Sequence, residues 1–461
     1  MTIPSTALLT SSLKEKPWGE KVTRIMAAAL AAVDPTLVIQ NNLSREGNQI
    51  RTAGGMIDLA SYREIHLLSI GKAALPMARG LIDLLGNQLT AGYILTKQIF
   101  RQRPAGMDQR MKLYAGSHPI PDQDGLQATA DILAQLSSRE EDDLVITLIS
   151  GGASALFTNP AQGISLPDLQ QTNQILLSCG ADIHEINTIR KHLSQVKGGG
   201  LARVLHPATI YTLILSDVSD DQIDIIGSGP TAPDPTTFAD ALKVVEKYQL
   251  QDSLPGAVSQ RLDQGRQGMI PETPKPAERY FSKVVNLILA NNQQAVQGGA
   301  EQARWEGFHT TTLPQFLTGA ASEVGEGLAR RLSQMALNNQ PFPCPSCLIA
   351  GGETTVDLTN TKQPGEGGRN LETALSALPG LDGLDNVALI TLATDGEDGP
   401  TDAAGAVVTG ESYQRCQQLG LNPEEYLLKH DSYSLFAYLD DLLLPGPTGT
   451  NVNDLYFLFT N

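Results

Sequence analysis

The 461-residue chain has few cysteines and no apolar segment long enough to cross a bilayer. Four cysteines are too few for a disulfide framework in a chain of this length, and they fit a reducing compartment. A membrane-spanning helix needs about 20 consecutive apolar residues, and no run approaches that length. Residues 1–21 also lack the basic start and apolar core of a secretory signal. These absences predict a soluble, cytoplasmic protein without a membrane partner.

Positive charge is also scarce in this sequence. It contains 33 Lys and Arg residues against 50 Asp and Glu, which gives a formal net charge of −17. Nucleic acids and anionic membranes are bound through basic surfaces, so this balance argues against both kinds of partner. An anionic substrate must therefore be held by a local group of cations or backbone amides.

Short apolar runs alternate with helical patterns along the chain. The first half predicts strands at 65–70, 92–96, 144–149 and 209–215, with helices at 73–85, 126–136, 166–179 and 184–205. The second half predicts strands at 283–290, 347–349, 387–392 and 455–460, with helices at 293–305, 322–337 and 403–419. Such alternation indicates an α/β fold in which mainly parallel sheets are flanked by helices.

The segment 264–280 separates the two halves. It carries three prolines and little apolar content, which is typical of a linker. We therefore predict an N-terminal α/β, Rossmann-like domain over 1–263, a linker over 264–280 and a C-terminal α/β domain over 281–461.

Three predicted strands end in turns that combine glycine with polar residues. These turns are Gly71-Lys72, Gly151-Gly152-Ala153-Ser154 and the acidic run 394–399 that begins Thr394-Asp395-Gly396. Glycine lets the backbone approach a ligand closely, and the amides at a helix start favour phosphate or carboxylate. Acids at the carboxyl end of a strand can bind a metal or accept a proton. Each turn alone fits a solvated loop equally well, but three of them predict a shared cleft.

Other polar residues follow apolar runs or lie on a helix. Asp217 follows the strand 209–215, and Glu353 follows Gly351-Gly352. Arg369 and Asn370 open a predicted helix, where the guanidinium can bind a carboxylate or phosphate through two hydrogen bonds. A helix cap for Asp217 and simple exposure for Arg369 are the alternatives.

The helical pattern 184–193 carries two more candidates. Asn187 and Arg190 lie on it, and Lys197 follows before three consecutive glycines. The lysine and the glycines can surround an anion or merely end the helix, and the helix side chains can simply be solvated.

Neither common nucleotide fingerprint is present. Gly71-Lys72 lacks the upstream glycine and the following Ser or Thr of a P-loop. Residues 227–232 match G-x-G-x-x-A, but Pro230, Pro233 and Pro235 delay the next helix. A dinucleotide-binding fold is therefore disfavoured.

Eight sequence blocks, in order, resemble the glycerate 2-kinase family whose carboxyl half is called the MOFRL domain. The blocks are SIGKAA (69–74), SGGASAL (150–156), HEINTIRKHLSQVKGGGLA (184–202), SGPTAPDPTTFADAL (228–242), GGETTV (351–356), GGRN (367–370), TDGEDGPTDAAGA (394–406) and GPTGTNVNDL (446–455). Three positions depart from the family pattern: Leu371 follows GGRN, Ala153 replaces a common glycine, and 220–222 lack one.

The resemblance implies transfer of the γ-phosphoryl group of ATP to the C2 hydroxyl of D-glycerate, with a divalent metal. It also implies two α/β domains with the active site in the interdomain cleft, the second being the MOFRL domain. Lys72 and Arg369 match the cations proposed to be catalytic in the family. Because phosphoryl transfer needs cations, a metal and an oriented hydroxyl, we expect Asp217 to join them as a catalytic residue.

The same chemistry assigns the remaining candidates. We expect Asp395 and Asp217 to bind Mg²⁺ or another divalent cation. Substrate or nucleotide binding is expected from Gly71, Gly151, Gly152, Ser154, Asn187, Arg190, Lys197, Glu353 and Asn370. Which turn holds ATP and which holds glycerate is left open. The expected partner is the small molecule D-glycerate, and a homodimer is left open.

Two other functions fit part of the sequence. One is an NAD(P)H-dependent hydroxypyruvate reductase, a label that relatives of this family carry. The mismatch at 227–232 argues against nicotinamide binding. The other is a non-catalytic protein that binds a sugar acid, although such a protein has no need to keep Lys72, Arg369, Asp217 and Asp395 together.

Overall fold

The computed structural model describes residues 3–97, 102–359, 361 and 363–461. Its contacts divide the chain into two compact units. We call Val38–Leu289 the central unit, and Met1–Leu37 together with Ala290–Asn461 the terminal unit. In this division the first segment of the chain joins the carboxyl half, and residues 264–280 lie inside the central unit. The domains predicted from the sequence, 1–263 and 281–461 with a linker over 264–280, remain a proposal about which parts of the chain fold independently.

The strands are, in chain order, β1 (Ser44–Glu46), β2 (Gln49–Thr52), β3 (Gly55–Asp58), β4 (Glu64–Ile70), β5 (Ala91–Thr96), β6 (Met111–Ala115), β7 (Asp143–Ile149), β8 (Thr209–Leu215), β9 (Val284–Ala290), β10 (His309–Thr312), β11 (Leu317–Ala320), β12 (Ser346–Thr355), β13 (Val387–Ala393), β14 (Gly405–Thr409), β15 (Leu442–Leu443) and β16 (Asp454–Thr460).

The α-helices are α1 (Ser11–Lys14), α2 (Gly19–Ala32), α3 (Pro35–Asn42), α4 (Ala74–Leu85), α5 (Gln123–Leu136), α6 (Ala153–Leu156), α7 (Leu166–Ser178), α8 (Ile183–His192), α9 (Gly200–Leu205), α10 (Phe238–Lys247), α11 (Gly256–Arg266), α12 (Asn292–Trp305), α13 (Ala321–Asn338), α14 (Arg369–Leu381), α15 (Ser412–Gln418), α16 (Pro423–Leu428) and α17 (Ser432–Leu439).

The main sheet of the central unit has the strand order β6-β5-β4-β7-β8-β9. The pairs from β6 through β8 are parallel. Every residue of β7 is buried, as expected for a continuous apolar strand covered by helices on both faces. Side chains of β4, β5, β7 and β8 pack with α5 and α9 in one apolar core. The first four predicted strands are confirmed to within one residue at each end.

The sheet of the terminal unit has the order β10-β12-β16-β13-β14-β15, and β11 also pairs with β12. It is a mixed sheet rather than a mainly parallel one, because β16 runs antiparallel to both of its neighbours. Helices α13 and α14 cover one face and share an apolar core with the strands. The α/β class is therefore confirmed, with parallel strand order in the central unit and mixed order in the terminal unit.

Two predicted helices were wrong. Residues 403–419 form β14 followed by the short α15, because the β-branched run at Val407-Val408 pairs with β13. The acidic run 394–399 consequently lies between two strands and does not start a helix. The helix predicted over 184–205 is divided into α8 and α9, because Gly198 and Gly199 adopt left-handed φ values of 51° and 80°.

The strand predicted over 347–349 extends further in the structure, where it is β12. Gly351 and Gly352 lie within β12, where a Cβ on Gly351 would come 1.5 Å from Asn292 Oδ1. These glycines allow neighbouring elements to approach the strand. Among the described residues, no single helix is both long and apolar enough to cross a membrane, and α2 with α3 meets that criterion only when the two are joined across a bend.

Candidate active site

The carboxyl ends of three strands in the central unit are aligned. Ile70 of β4 lies opposite Ile149 of β7, and Ile149 lies opposite Ile214 of β8. The residues that follow these strands therefore leave the sheet at one edge, where ligands of parallel α/β sheets bind. Lys72, the Gly151 turn and Asp217 all lie just beyond this edge. The three segments predicted separately from the sequence are thus neighbours.

The Gly71 turn and the Gly151 turn are bonded to each other. The amide of Lys72 donates to the carbonyl of Gly151 at 2.8 Å, and the amide of Ala73 donates to Ser150 Oγ at 3.0 Å. Gly71 has φ 123°, and a Cβ there would lie 2.2 Å from Ser150 Oγ. Glycine is therefore required for the two turns to meet.

The side chain of Lys72 packs against Gly152. A Cβ on Gly152 would lie 3.0 Å from His118 Cδ2 and 3.4 Å from Lys72 Cγ, and Gly152 has a left-handed φ of 83°. The absence of a side chain leaves room for both neighbours. His118 is a residue of this site that the sequence analysis missed, since it lies in a loop without a recognisable motif.

A chain of polar side chains lies behind the Gly151 turn. Ser154 Oγ is 2.8 Å from Ser228 Oγ, which in turn donates to Asn187 Oδ1 at 2.6 Å. Lys197 Nζ donates to Ser154 Oγ at 3.2 Å and to the carbonyl of Ser154. The structure thus brings together three predicted residues and adds Ser228. Their mutual bonds fix the turn, and their role as direct ligands stays a prediction.

Burial lowers the pKa values of two basic side chains in this region, Lys197 and Arg190. It lowers the pKa of Lys197 to about 7, and repulsion from Arg190 adds to the shift. It also lowers the pKa of Arg190 to about 10. Arg190 Nε donates to Asn173 Oδ1 at 2.6 Å. Desolvation disfavours the charged forms here, so Lys197 is ionised only in part near neutral pH.

Arg369 is the centre of a second cluster, in the terminal unit. It is the first residue of α14, and its Nε and Nη2 donate to the two carboxylate oxygens of Asp454 at 2.6 and 3.3 Å. Its Nη1 donates to Glu353 Oε1 at 2.6 Å. The side chain of Asp454 is 1% exposed, whereas those of Arg369 and Glu353 are 32% and 44% exposed. Asp454 therefore anchors the guanidinium from the interior.

Asp398 closes the N-terminus of α14. Its Oδ1 accepts the amide of Asn370 at 3.1 Å, and its Oδ2 accepts the amide of Leu371 at 2.8 Å. These bonds satisfy donors that a helix start leaves unpaired. A Cβ on Gly368 would come 2.4 Å from the Asp398 carboxyl carbon, so this close approach needs glycine.

The buried acids of this cluster resist ionisation. Burial raises the pKa of Asp454 to about 7, although Arg369 opposes the shift. Burial also raises the pKa of Asp398 to about 6, against the amide bonds from Leu371 and Asn370. Burial alone would lower the pKa of Arg369, but Asp454 and Glu353 raise it overall. Arg369 therefore stays charged, while burial brings the pKa of each of the two acids close to neutral.

The sheet register explains why these residues meet. Asp454 begins β16 and lies opposite Gly352 of β12 and Ala393 of β13. Glu353 near the end of β12 and Asp395 just after β13 therefore lie near the edge of the sheet at which Asp454 begins β16. The side chain of Asp395 accepts the amide of Glu397 at 3.3 Å, and its carbonyl accepts the amide of Thr448 at 3.2 Å.

The predicted residues are distributed over both units. Lys72 and Asp217 belong to the central unit, and Arg369 and Asp395 belong to the terminal unit. Asp398 and Asp454 were not selected as site residues, although each lies in a block that resembles the family. Among the described residues, no group of three or more His, Cys, Asp and Glu side chains is arranged to hold a metal ion.

The central unit of this α/β protein thus carries a glycine turn with a lysine at a strand edge, and the terminal unit carries a partly buried arginine–carboxylate cluster. Comparison with protein families supports a narrower statement. A domain of unknown function, DUF4147, matches residues 21–263, and the MOFRL family matches residues 346–454.

Several curated proteins are similar over most of this chain. Glycerate 2-kinase of Pyrococcus horikoshii is 37% identical, with 94% of this chain and 95% of that protein covered. D-glycerate 2-kinase of Thermotoga maritima is 39% identical, with 84% and 89% covered. A putative hydroxypyruvate reductase of Agrobacterium vitis is 37% identical, with 94% and 92% covered.

A solved structure gives the same result. The crystal structure of a glycerate kinase from Thermotoga maritima superposes with a TM-score of 0.82 at 36% identity and covers 95% of this chain and 98% of that one. The chain belongs to the glycerate 2-kinase family that combines DUF4147 with MOFRL, which confirms the resemblance stated from the eight blocks.

Proposed function

We propose that this protein is a glycerate 2-kinase, which transfers the γ-phosphoryl group of ATP to the C2 hydroxyl of D-glycerate and yields 2-phosphoglycerate and ADP. The observation that carries the proposal is the likeness, over most of both chains, to proteins named glycerate 2-kinase, at 37% and 39% identity. The geometry of the two clusters is consistent with the same reaction.

In the central unit, the proposed anion-binding element is the turn that carries Lys72. The ammonium group and the amides around Gly151 and Gly152 can neutralise phosphate oxygens as charge shifts during transfer. The contact between Lys72 and Gly152 supports this role, because a positioned cation needs no rearrangement when the charge develops.

In the terminal unit, the proposed cation is Arg369. Asp454 and Glu353 hold its guanidinium in one orientation, and Asp398 holds the helix start from which it projects. We assign Asp454 and Asp398 as positioning residues. We further propose that Lys72 and Arg369 act on the same triphosphate, with Asp217 orienting the attacking hydroxyl. Both cations then lower the same barrier.

Magnesium is the proposed metal, and Asp217 and Asp395 are its proposed protein ligands. Carboxylate oxygen is the ligand type that Mg²⁺ prefers, and kinases commonly use one or two carboxylates together with phosphate oxygens and water. Both aspartates follow strand ends, so the donor chemistry fits. When bound, the metal would neutralise charge on the phosphate oxygens.

The direct test combines the purified protein with ATP, Mg²⁺ and D-glycerate. Release of ADP measures transfer, and an enolase-coupled reading identifies the 2-phosphate. Absence of ADP release with D-glycerate would overturn the proposal. A phosphorylated product that enolase does not consume would keep the kinase and remove the C2 assignment.

The name of the Agrobacterium vitis relative favours a second candidate, a hydroxypyruvate reductase. The glycines at 227–229 do not open a helix, since α10 begins only at Phe238. This geometry is unlike the helix start that binds a dinucleotide pyrophosphate. If the absorbance of NADH or NADPH falls when hydroxypyruvate is added, the protein oxidises the cofactor and has this activity instead.

A cytoplasmic location is part of the proposal. All four cysteines are unpaired, which fits a reducing compartment where ATP is available. Sedimentation of the purified protein tests whether it forms a homodimer.

A further inference from the structure

A cavity of about 210 Å³ lies within the central unit, and no role for it follows from the proposed reaction. Its lining includes Arg203 of α9, Arg261 of α11, Lys197 and residues 270–274. The buried ring of Phe238 lines it as well, and the exposed side chains of Gln162 and Gln195 lie at its rim. The cavity therefore combines charged and polar side chains with an apolar surface to which Phe238 contributes.

Its charges are unusual for an acidic protein. Three basic residues, Lys197, Arg203 and Arg261, line it together with one acid, Glu272. The carboxylate of Glu272 pairs with other groups. Its Oε2 lies 3.2 Å from His192 Nε2 and 3.4 Å from Lys275 Nζ. Its Oε1 accepts the amide of Phe238 at 3.0 Å. Glu272 therefore does not neutralise the arginines.

The arginines have few partners of their own. Within the part of the chain that the structure describes, the side chain of Arg203 makes no hydrogen bond or ion pair. Arg261 Nε donates to the carbonyl of His192 at 2.8 Å, and its guanidinium lies 5.9 Å from the centre of the Phe238 ring. Burial lowers the pKa of Arg261, and the charge of Arg203 adds to this shift. The two guanidiniums thus repel each other across the cavity lining.

The ammonium group of Lys197 is bonded to Ser154 and not to the cavity's other lining residues. Its Nζ donates to the hydroxyl and the carbonyl of Ser154, as described above. The two guanidiniums therefore carry the positive charge available to a ligand. A guanidinium presents a planar fork of N–H donors that matches the oxygens of a phosphate or carboxylate.

We propose that this cavity binds a small organic oxyanion, a phosphate ester or a carboxylate, through Arg203 and Arg261, at a site that borders Lys197 but that Lys72 does not line. The volume is below the roughly 300–1,000 Å³ of sites for drug-sized ligands, so it suits a metabolite of a few carbon atoms. Phe238 provides the surface for the carbon skeleton, and Gln162 and Gln195 provide hydrogen bonds at the rim.

Inorganic phosphate and succinate serve as probes, and calorimetric titration of the full chain measures their binding. At least one probe is expected to bind saturably, with its affinity reduced at least about tenfold by Arg203→Gln. Binding of phosphate but not succinate identifies a phosphate ester as the ligand class, and the reverse identifies a carboxylate. Arg203→Lys, which keeps the charge and loses the fork, is expected to give an intermediate loss.

Matched controls separate this cavity from other anion sites. Arg266→Gln removes an exposed arginine from the same helix as Arg261 and is expected to leave the affinity unchanged. Loss of the measured binding in Lys72→Ala would instead assign the probe to the Gly71 turn and overturn the proposal. The proposal is overturned if neither probe binds with a Kd below about 10 mM. It is also overturned if Arg203→Gln retains full binding, or if Arg266→Gln weakens binding as much.

Discussion

Replacement of Arg369 by alanine is expected to impair both stability and activity, for separable reasons. The substitution leaves Asp454 without its cationic partner, although its side chain is only 1% exposed. Removing one partner of a buried ion pair costs about 3–5 kcal/mol. The structure supports this range, since two charged hydrogen bonds to Asp454 are lost and each contributes about 1.5–3 kcal/mol. The bond to exposed Glu353 adds little.

A double substitution tests the cause of the destabilisation. In Arg369→Ala combined with Asp454→Asn, no unpaired carboxylate remains, so we expect about half of the lost stability to return. The activity is not expected to return with it. Loss of a preorganised cation at the phosphate should keep kcat about 10²-fold below the wild type in both variants.

Tryptophan fluorescence during urea unfolding suits this measurement. Both tryptophans, Trp18 and Trp305, belong to the terminal unit that contains Arg369. Trp18 is buried, so its emission should change when this unit unfolds. Equal stability of the single and double variants would refute the account of an unpaired buried charge. Recovery of kcat in the double variant would show that Arg369 acts only on structure.

Three further outcomes are expected. Lys72→Ala should lower kcat about 10²-fold in the ADP-release assay, whereas Lys243→Ala, which removes an exposed lysine of the same unit, should not; equal rates for the two variants would exclude Lys72 from the reaction. Gly152→Ala and Gly163→Ala should each cost about 1 kcal/mol in urea unfolding, because both glycines are left-handed at 83° and 86°. Only Gly152→Ala should also lower kcat, since its methyl group meets His118 and Lys72 whereas that of Gly163 meets nothing within 4 Å; equal kcat for both variants would contradict this. Finally, the pKa of Asp454 is raised from 3.8 to about 7, so its protonated form stabilises the fold at low pH and this contribution is lost as the pH rises toward about 7. The free energy of unfolding of the wild type, measured against Asp454→Asn, should therefore fall between about pH 4 and 7, and a constant difference would show that Asp454 does not titrate in that window.

The fold was predictable where apolar runs were long. Strands β4, β7 and β8 and helix α7 were located to within about one residue, because a fully buried parallel strand is a continuous apolar run. The short strands β10, β11 and β15 were not predicted, since two to four residues carry too little periodicity. The helix predicted over 403–419 was wrong because pairing with β13 determines the conformation of Val407 and Val408. The local sequence gives no sign of this pairing.

The site was predictable in part. The sequence indicated the lysine and the glycine turns of the central unit, and it indicated Arg369, Asn370 and Glu353. It did not indicate which groups would bond one another. Asp454 lies far from Arg369 along the chain, and only the antiparallel register of β16 brings them together. Asp398 resembled an ordinary turn residue, because its partners are backbone amides of another element.

The contacts of Arg369 also suggest how the guanidinium can bind a phosphate without losing its position. A guanidinium has five N–H donors, and three bonds to Asp454 and Glu353 leave two of them for a ligand. Asp454 is buried and bound through two oxygens, so it remains in place, whereas Glu353 is 44% exposed and bound through one. A phosphate can therefore displace Glu353 while Asp454 keeps the planar group aligned. Asp454 is thus one member of the acidic excess of this chain, and it orients the cation Arg369.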